Sequence, residues 1–169
     1  DCRWVPVEDR LFPPQDVNIE RPGCGVLLAK LPVDLERLSC LLLNLGICTA
    51  FSSDSYVRAL SGLRDVHGDG CLTEDVLDAA LHCVNELFSL ADACGSLEGL
   101  VLPDASGVLC PVGDLCYNDA EWGDVDGIPE RLVHDRISNA VARKLGVTPL
   151  RHKMVQDHAV DFPFQSYGP

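Results

Sequence analysis

The hydrophobic pattern of the first half of the chain predicts helices. A first helix is expected to begin after an N-cap at Asp34 and to end at Gly46, with an apolar face formed by Leu35, Leu38, Leu42 and Leu45. A second helix is expected over residues 53–63. Before both, five of the first 33 residues are prolines, which favour extended and turn structure. The apolar run 25–29 in that part predicts a short strand.

The clearest helical pattern begins at Thr73, which is suited to an N-cap. Glu74 and Asp75 supply the negative charge that the first turn of a helix favours, and Gly95 is expected to end the helix. Its apolar face consists of Val76, Leu77, Ala80, Leu81, Val84, Leu87, Phe88 and Ala91. The opposite face is polar, so this pattern predicts a core helix.

After this helix the pattern changes to alternation typical of strands. Residues 99–103 and 108–112 predict a β-hairpin with its turn at 104–107, and residues 115–117 predict a further strand. An acidic loop follows over 118–130. A last helix is expected over 138–145, with Ile137, Val141 and Leu145 on one face and Gly146 at its end.

Helices that come first and a hairpin that follows predict an α+β fold. We expect a helical first half packed on a small β-hairpin or sheet, with a C-terminal helix. Residues 1–169 are interpreted as one module of a larger protein, because the sequence has no initiator Met. The alternative is two lobes, with residues 1–96 mainly helical and residues 97–169 contributing the hairpin, the acidic loop and the last helix.

The charge of the chain argues against several classes of partner. There are 13 Lys and Arg against 26 Asp and Glu, a net charge of −13, so the average field repels nucleic acids. No apolar run approaches the ~20 residues of a membrane span, so no membrane partner is expected. Residues 131–169 carry six basic and three acidic side chains. This basic segment is expected to fold back on the acidic body, or to dock a partner.

Nine cysteines are spread along the chain with no two closer than six residues. This spacing excludes the C-x-x-C pairs of zinc ribbons and thioredoxin-type redox sites. Several cysteines lie in apolar runs, where a thiol behaves as a small hydrophobic group. Reduced, buried cysteines predict a cytoplasmic location.

The stretch 65–76 resembles an EF-hand calcium loop, with aspartates at positions 1 and 5 and Gly70 at position 6. His67 at position 3 is a poor ligand for calcium, and Val76 stands where a bidentate carboxylate is needed. A glycine-rich turn before the Thr73 helix is the favoured interpretation. The alternative is a calcium-responsive domain that binds the ion through Asp65, Asp69 and Asp75.

No enzymatic site is predicted. The glycines near residue 65 do not have the spacing of a chaperone-type ATPase box, and no Walker loop or Rossmann fingerprint occurs. A Cys-His-Asp set could be assembled from Cys110 or Cys116 with His134 and Asp135, but no signature surrounds either cysteine. The five histidines are scattered. We therefore expect no catalytic residues, no cofactor and no metal.

Three segments of the second half carry a resemblance to a known family. They are residues 102–111, with the run PDASGVL, residues 115–122, with the run LCYNDAEW, and residues 131–153, with the run ARKLGVTPLRHK. In this order they resemble the sacsin internal repeats and related sacsin-like proteins. The positions that carry the resemblance are Asp104, Gly107, Tyr117, Asn118, Asp119, Trp122, Gly146 and Arg151.

The resemblance implies a module from the later part of a repeat in a giant cytosolic chaperone or co-chaperone. Each repeat of that family begins with a chaperone-like ATPase domain, whose nucleotide-binding residues are not in this chain. The expected function is that of a non-catalytic scaffold or interaction module. Its expected partners are neighbouring domains of the same chain, the chaperone machinery or client proteins. Asn118 and Asp119 are expected to satisfy backbone donors of a turn, and Trp122 to anchor the acidic loop to the core.

Overall fold

A computed structural model of the chain describes residues 5–90, 97–119 and 131–153. It contains helices and small two- and three-stranded sheets, which confirms the α+β class, and four short strands precede the first helix. The helices are α1 (Val33–Glu36), α2 (Ser39–Asn44), α3 (Ser53–His67), α4 (Glu74–Leu90) and α5 (Asn139–Lys144). The strands are β1 (Val5–Val7), β2 (Arg10–Phe12), β3 (Val17–Asn18), β4 (Ala29–Lys30), β5 (Val101–Pro103), β6 (Leu109–Pro111), β7 (Leu115–Tyr117), β8 (Arg131–Leu132) and β9 (Thr148–Pro149).

The two long helices α3 and α4 pack on one another at the centre of the fold, as their apolar faces predict. Helix α3 continues one turn beyond the predicted end and stops before Gly68, which has φ +58°. The carbonyl of Thr73 accepts hydrogen bonds from the backbone N–H of Val76 (3.0 Å) and Leu77 (2.8 Å), which starts α4. The predicted end of that helix at Gly95 lies outside the described residues.

The prediction of one continuous helix over 35–45 is wrong. The segment forms two short helices, α1 and α2, with a break at Arg37 and Leu38. The N-cap of α1 is Pro32, which has an extended backbone, and not Asp34, which lies in the first turn of the helix. The predicted end at Gly46 is confirmed, since α2 ends at Asn44 and Gly46 has φ +103°.

The predicted strand over 25–29 is also wrong for most of its length. Residues 25–27 form a turn, in which Gly25 has φ +54°, and Cys24 N–H donates to the Leu28 carbonyl at 2.7 Å. This hydrogen-bonded turn directly precedes β4, which pairs in parallel with β3. A side chain at Gly23 would come within 2.6 Å of the Leu28 carbonyl oxygen, so only glycine fits in this tight turn.

The second half contains the predicted hairpin and the predicted last helix. Strands β5 and β6 pair antiparallel, with Leu102 opposite Cys110, and β5 contacts both α3 and α4. Ser138 caps α5 by accepting a hydrogen bond from Val141 N–H (3.4 Å) through its Oγ. Gly146, with φ +85°, follows the helix.

The predicted strand β7 lies in the middle of a three-stranded parallel sheet with the order β8-β7-β9. The sequence pattern did not predict β8 or β9. Each has only two residues, which is too short for an alternation of polar and apolar side chains to be visible.

Two clusters of buried side chains form the core of the described residues. The larger one contains side chains from α3, α4, the hairpin, β7 and α5. The smaller one consists of Val5, Phe12, Val17, Ala29, Leu31, Leu42 and Ile47, from the first four strands and α2. In the described ranges, every helix is too short or too polar to cross a lipid bilayer.

Candidate functional site

The stretch 65–76 is a helix-to-helix connection. Asp65 lies in the last turn of α3, Asp69 in the turn that follows, and Asp75 in the first turn of α4. All three side chains are exposed, and no group of three metal-ligating side chains comes together anywhere in the described ranges. Instead, the backbone of this connection contacts the hairpin, since Leu72 N–H donates to the Gly107 carbonyl at 2.9 Å.

The hairpin turn is organised by the buried carboxylate of Asp104. Its Oδ1 accepts hydrogen bonds from the backbone N–H of Ser106 (2.8 Å) and Val108 (3.0 Å). Gly107 has φ +77°, a conformation that glycine adopts without strain. Ala105 N–H donates to the Leu132 carbonyl at 2.9 Å, so the turn is held against β8 on its other side. The carboxylate of Asp104 thus holds the shape of the turn. The turn is hydrogen-bonded to the connection between α3 and α4 at Gly107 and to β8 at Ala105.

Cys110 lies beneath this turn in contact with two charged groups. Its Sγ is 2.8 Å from Arg131 Nη1, which donates to it, and 3.8 Å from Asp104 Oδ2. Burial raises the pKa of the Cys110 thiol, and this outweighs the opposite effect of the Arg131 guanidinium. A catalytic thiol requires a lowered pKa, so this environment does not activate Cys110. The sequence analysis did not predict the contact with Arg131, because the two residues are far apart in the chain.

The other members of the hypothetical Cys-His-Asp set make different contacts. Cys116 is buried, and its Sγ donates to the Arg131 carbonyl at 3.4 Å. His134 Nδ1 lies 2.9 Å from Asp135 Oδ1 and accepts from the backbone N–H of Arg136 at 3.2 Å. These contacts do not give the arrangement in which a histidine accepts the proton of a thiol.

Several residues that carry the family resemblance meet where β7 ends. Tyr117 is buried in β7 opposite Pro149, and the Asn118 carbonyl accepts from Asn139 Nδ2 at 2.7 Å. Asp119 Oδ1 accepts from the backbone N–H of Arg151 at 3.1 Å, at the start of the helical residues 150–153. Asp119 thus satisfies a backbone donor 32 residues away and places negative charge at a helix start. Trp122 lies outside the described residues.

The basic segment folds onto acidic residues of the same chain where it is described. Arg136 Nη1 lies 2.6 Å from Asp78 Oδ1 and 3.4 Å from Glu74 Oε1, both on α4. Lys144 Nζ lies 4.6 Å from the centre of the Phe88 ring. These contacts attach α5 and the residues before it to α4.

Tyr56, on α3, is buried close to Arg21, Cys24 and Glu86. Within the described ranges its hydroxyl forms no hydrogen bond of good geometry, although the ring packs edge-to-face on Phe51 at 5.8 Å. Burial raises the pKa of Tyr56 to about 12, the nearby Cys24 and Glu86 add to the rise, and the Arg21 guanidinium opposes it. Glu86 itself pairs with Arg21 at 3.4 Å.

Five exposed apolar side chains are concentrated on and beside α1 and α2. We call this patch the leucine surface. The exposed fractions of its members are Val33 76%, Leu38 42%, Leu41 57%, Leu43 39% and Leu45 51%. Leu42 is the buried side chain of α2. Leu38 and Leu45 were predicted to lie on the apolar face of one helix, and both side chains are exposed in the structure.

The chain is 27% identical to human sacsin over an alignment of 132 residues that covers 74% of this chain and 3% of sacsin. The chain thus spans a very small part of the relative that it matches. No known family profile matches the sequence, and no solved structure matches the chain.

Proposed function

We propose that this chain is a non-catalytic interaction module of a sacsin-like chaperone or co-chaperone of the cytosol. In this proposal the leucine surface packs against a neighbouring module of the same long protein. The similarity to sacsin supports the assignment to this class. The observation that carries the function is the concentration of five exposed apolar side chains between residues 33 and 45, because soluble domains rarely leave such a patch uncovered.

A neighbouring module is a better occupant of the leucine surface than a second copy of the chain. Each copy has a net charge of −13, so self-association brings together two bodies that repel one another. A module of the same polypeptide is tethered nearby, and its effective concentration reaches the millimolar range.

A site-specific crosslink in the full-length parent protein tests the proposal. Leu41 is replaced by the photoreactive residue p-benzoylphenylalanine. The matched control places the same residue at Val66, which is 80% exposed and lies outside the leucine surface. After irradiation, we expect position 41 to crosslink to another module of the same chain, as mapped by mass spectrometry, at a yield at least about tenfold that of position 66.

Two results contradict the proposal. One is a crosslink from position 41 that goes mainly to a separate protein, which identifies the leucine surface as a client or partner site. The other is a yield at position 41 equal to that at position 66, which shows that the leucine surface is uncovered in the full-length protein.

A further inference from the structure

Strand β2 has an open edge. In an antiparallel pair of strands, hydrogen-bonded and non-hydrogen-bonded residue pairs alternate. Leu11 lies opposite Pro6, and Pro6 has no N–H to donate, so this pair is the non-hydrogen-bonded one. The N–H and C=O of Leu11 therefore point away from β1. On that side β2 pairs with no other described strand, and outside the β1–β2 pair no described backbone group is hydrogen-bonded to Leu11.

A continuous groove runs along this edge. Its central section has a volume of about 560 Å³ and lies between β2 and the turn residues Val26 and Leu27. A section of about 680 Å³ adjoins it at the β1–β2 turn and shares Arg10, Phe12 and Val26 with it. A section of about 400 Å³ adjoins its other end, shares Val26 and Leu27, and continues along α3. We call these three sections the β2 groove.

The β2 groove offers apolar contacts beside the open backbone. Leu11 lines the central section and is 55% exposed. Leu27 and Val76 line the section along α3. Gly62 lies in the same wall, and a Cβ built on it meets no atom within 4 Å apart from its own stretch of helix. The groove therefore has room for side chains that reach past β2 towards α3.

The charge of the chain favours a basic occupant. Four charged side chains line the groove at the β1–β2 turn, and they are Glu8, Asp9, Arg10 and Lys30. Their formal charges cancel, and further along the groove Asp16 pairs with Arg58 at 3.1 Å. The net charge of −13 therefore determines which segments are attracted, and these are cationic ones. A second copy of the chain carries the same net charge and is repelled.

We propose that the β2 groove binds an extended, basic peptide segment of another protein, with apolar side chains at alternate positions. The segment lies beside β2 as an added strand and exchanges two main-chain hydrogen bonds with Leu11. Its apolar side chains point to one face and contact Leu27 and the α3 wall, while its basic side chains point to solvent. A helix does not fit this edge, because its backbone groups are bonded internally. No member of the leucine surface lines the β2 groove, so the two surfaces are separate.

The experiment measures the binding of a defined probe to the chain. The probe is a fluorescein-labelled hexapeptide of alternating lysine and valine, which spans about 20 Å when extended. Fluorescence anisotropy gives its Kd in about 0.15 M salt, where attraction by distant charges is screened. Circular dichroism checks that each variant is folded. All variants keep the charge of the chain, so a general attraction between opposite charges is the same in each of them.

The first pair of variants tests the open backbone. Leu11→Pro removes the outward N–H, and proline is tolerated in an edge strand where its nitrogen faces away from the ladder. Leu11→Ala is the matched control, because it also loses the leucine side chain but keeps the N–H. We expect the Kd of the probe to be about fivefold higher for Leu11→Pro than for Leu11→Ala.

The second pair tests the α3 wall and does not depend on how Leu11→Pro folds. Gly62→Tyr places a large side chain in the groove, whereas Gly62→Ala improves the helix without filling the groove. We expect Gly62→Ala to bind as the wild type does and Gly62→Tyr to raise the Kd at least about tenfold. Equal Kd values within either pair would overturn the proposal. So would the absence of binding to the wild-type chain at concentrations up to about 1 mM.

Discussion

The ring of Tyr56 packs in the core, whereas the burial of its hydroxyl lowers the free energy of unfolding. No described residue gives the Oη atom a hydrogen bond of good geometry, and burying an unpaired hydroxyl opposes folding by about 1–3 kcal/mol. Replacement by phenylalanine keeps the contact with Phe51 and removes the hydroxyl. We expect Tyr56→Phe to increase the free energy of unfolding by about 1 kcal/mol, as measured by urea denaturation at pH 7.

The same variant has a defined pH dependence. The pKa of Tyr56 rises from its ordinary value of 10.0 to about 12 on folding. The folded state therefore binds the phenolic proton more tightly than the unfolded state does. The contribution of this proton to the free energy of unfolding is present in full below pH 10 and is lost as pH rises to 12. The stability gained by Tyr56→Phe should thus widen between pH 10 and pH 12. A variant less stable than the wild type at pH 7 would indicate that Oη has a partner in solution.

At the scale of elements, the β5–β6 hairpin depends on the carboxylate of Asp104. Asp104→Ala leaves the N–H of Ser106 and the buried N–H of Val108 without acceptors, so we expect a loss of about 2–4 kcal/mol in the free energy of unfolding. Chemical denaturation monitored by circular dichroism measures it. Asp104→Asn keeps an oxygen acceptor and should recover more than half of the loss.

Asp135→Ala is the control for the removal of one negative charge, because the Asp135 side chain is 89% exposed. It is expected to change stability by less than about 0.5 kcal/mol. Equal losses in Asp104→Ala and Asp135→Ala would show that charge, and not the hydrogen bonds of the turn, is responsible.

Helices α2 and α4 show how far a hydrophobic pattern predicts an element. Both sequences have leucines at helical spacing, and both contain a helix. The face of α4 is covered by α3 and β5, and Leu77, Leu81 and Leu87 are buried as predicted. Helix α2 has no such cover among the described residues, so Leu41 and Leu45 stay exposed. The pattern predicts the helix, whereas the burial of its face depends on elements elsewhere in the chain.

At the scale of the molecule, the two clusters of the core should differ in stability. The smaller one has seven buried side chains, against 27 in the larger, and local stability follows the buried apolar contacts of a region. We expect the amide hydrogens of β1, β2 and α2 to exchange at least about tenfold faster than those of α4. Hydrogen exchange with mass spectrometry measures both.

A substitution in each cluster distinguishes local unfolding from unfolding of the whole chain in the same hydrogen-exchange measurement. Leu42→Ala, in the smaller cluster, should accelerate exchange in β1, β2 and α2 but leave α4 unchanged. Leu87→Ala, in the larger cluster, should accelerate exchange throughout the chain. Equal exchange rates in the two clusters of the wild type would contradict this, since the whole molecule would then open as one unit.

The residues that carry the family resemblance were identified from the sequence, and the structure gives several of them physical roles. The side chains of Asn118 and Asp119 were expected to satisfy backbone donors of a local turn, whereas Asp119 accepts from the backbone N–H of Arg151, 32 residues away, and Asn118 accepts from Asn139 through its backbone carbonyl. The leucine surface was not predicted, because the exposure of its side chains depends on which elements lie next to them and no local spacing records that.

Features that depend on a few consecutive residues follow from the sequence. Gly46, Gly107 and Gly146 have positive φ where a helix end or a turn was predicted, because only the neighbouring backbone determines that conformation. The parallel sheet around β7, the break between α1 and α2 and the exposure of the leucines depend on the packing of distant segments. A side chain is buried only where another segment of the chain packs against it, and the sequence pattern of one element does not show which segment does so.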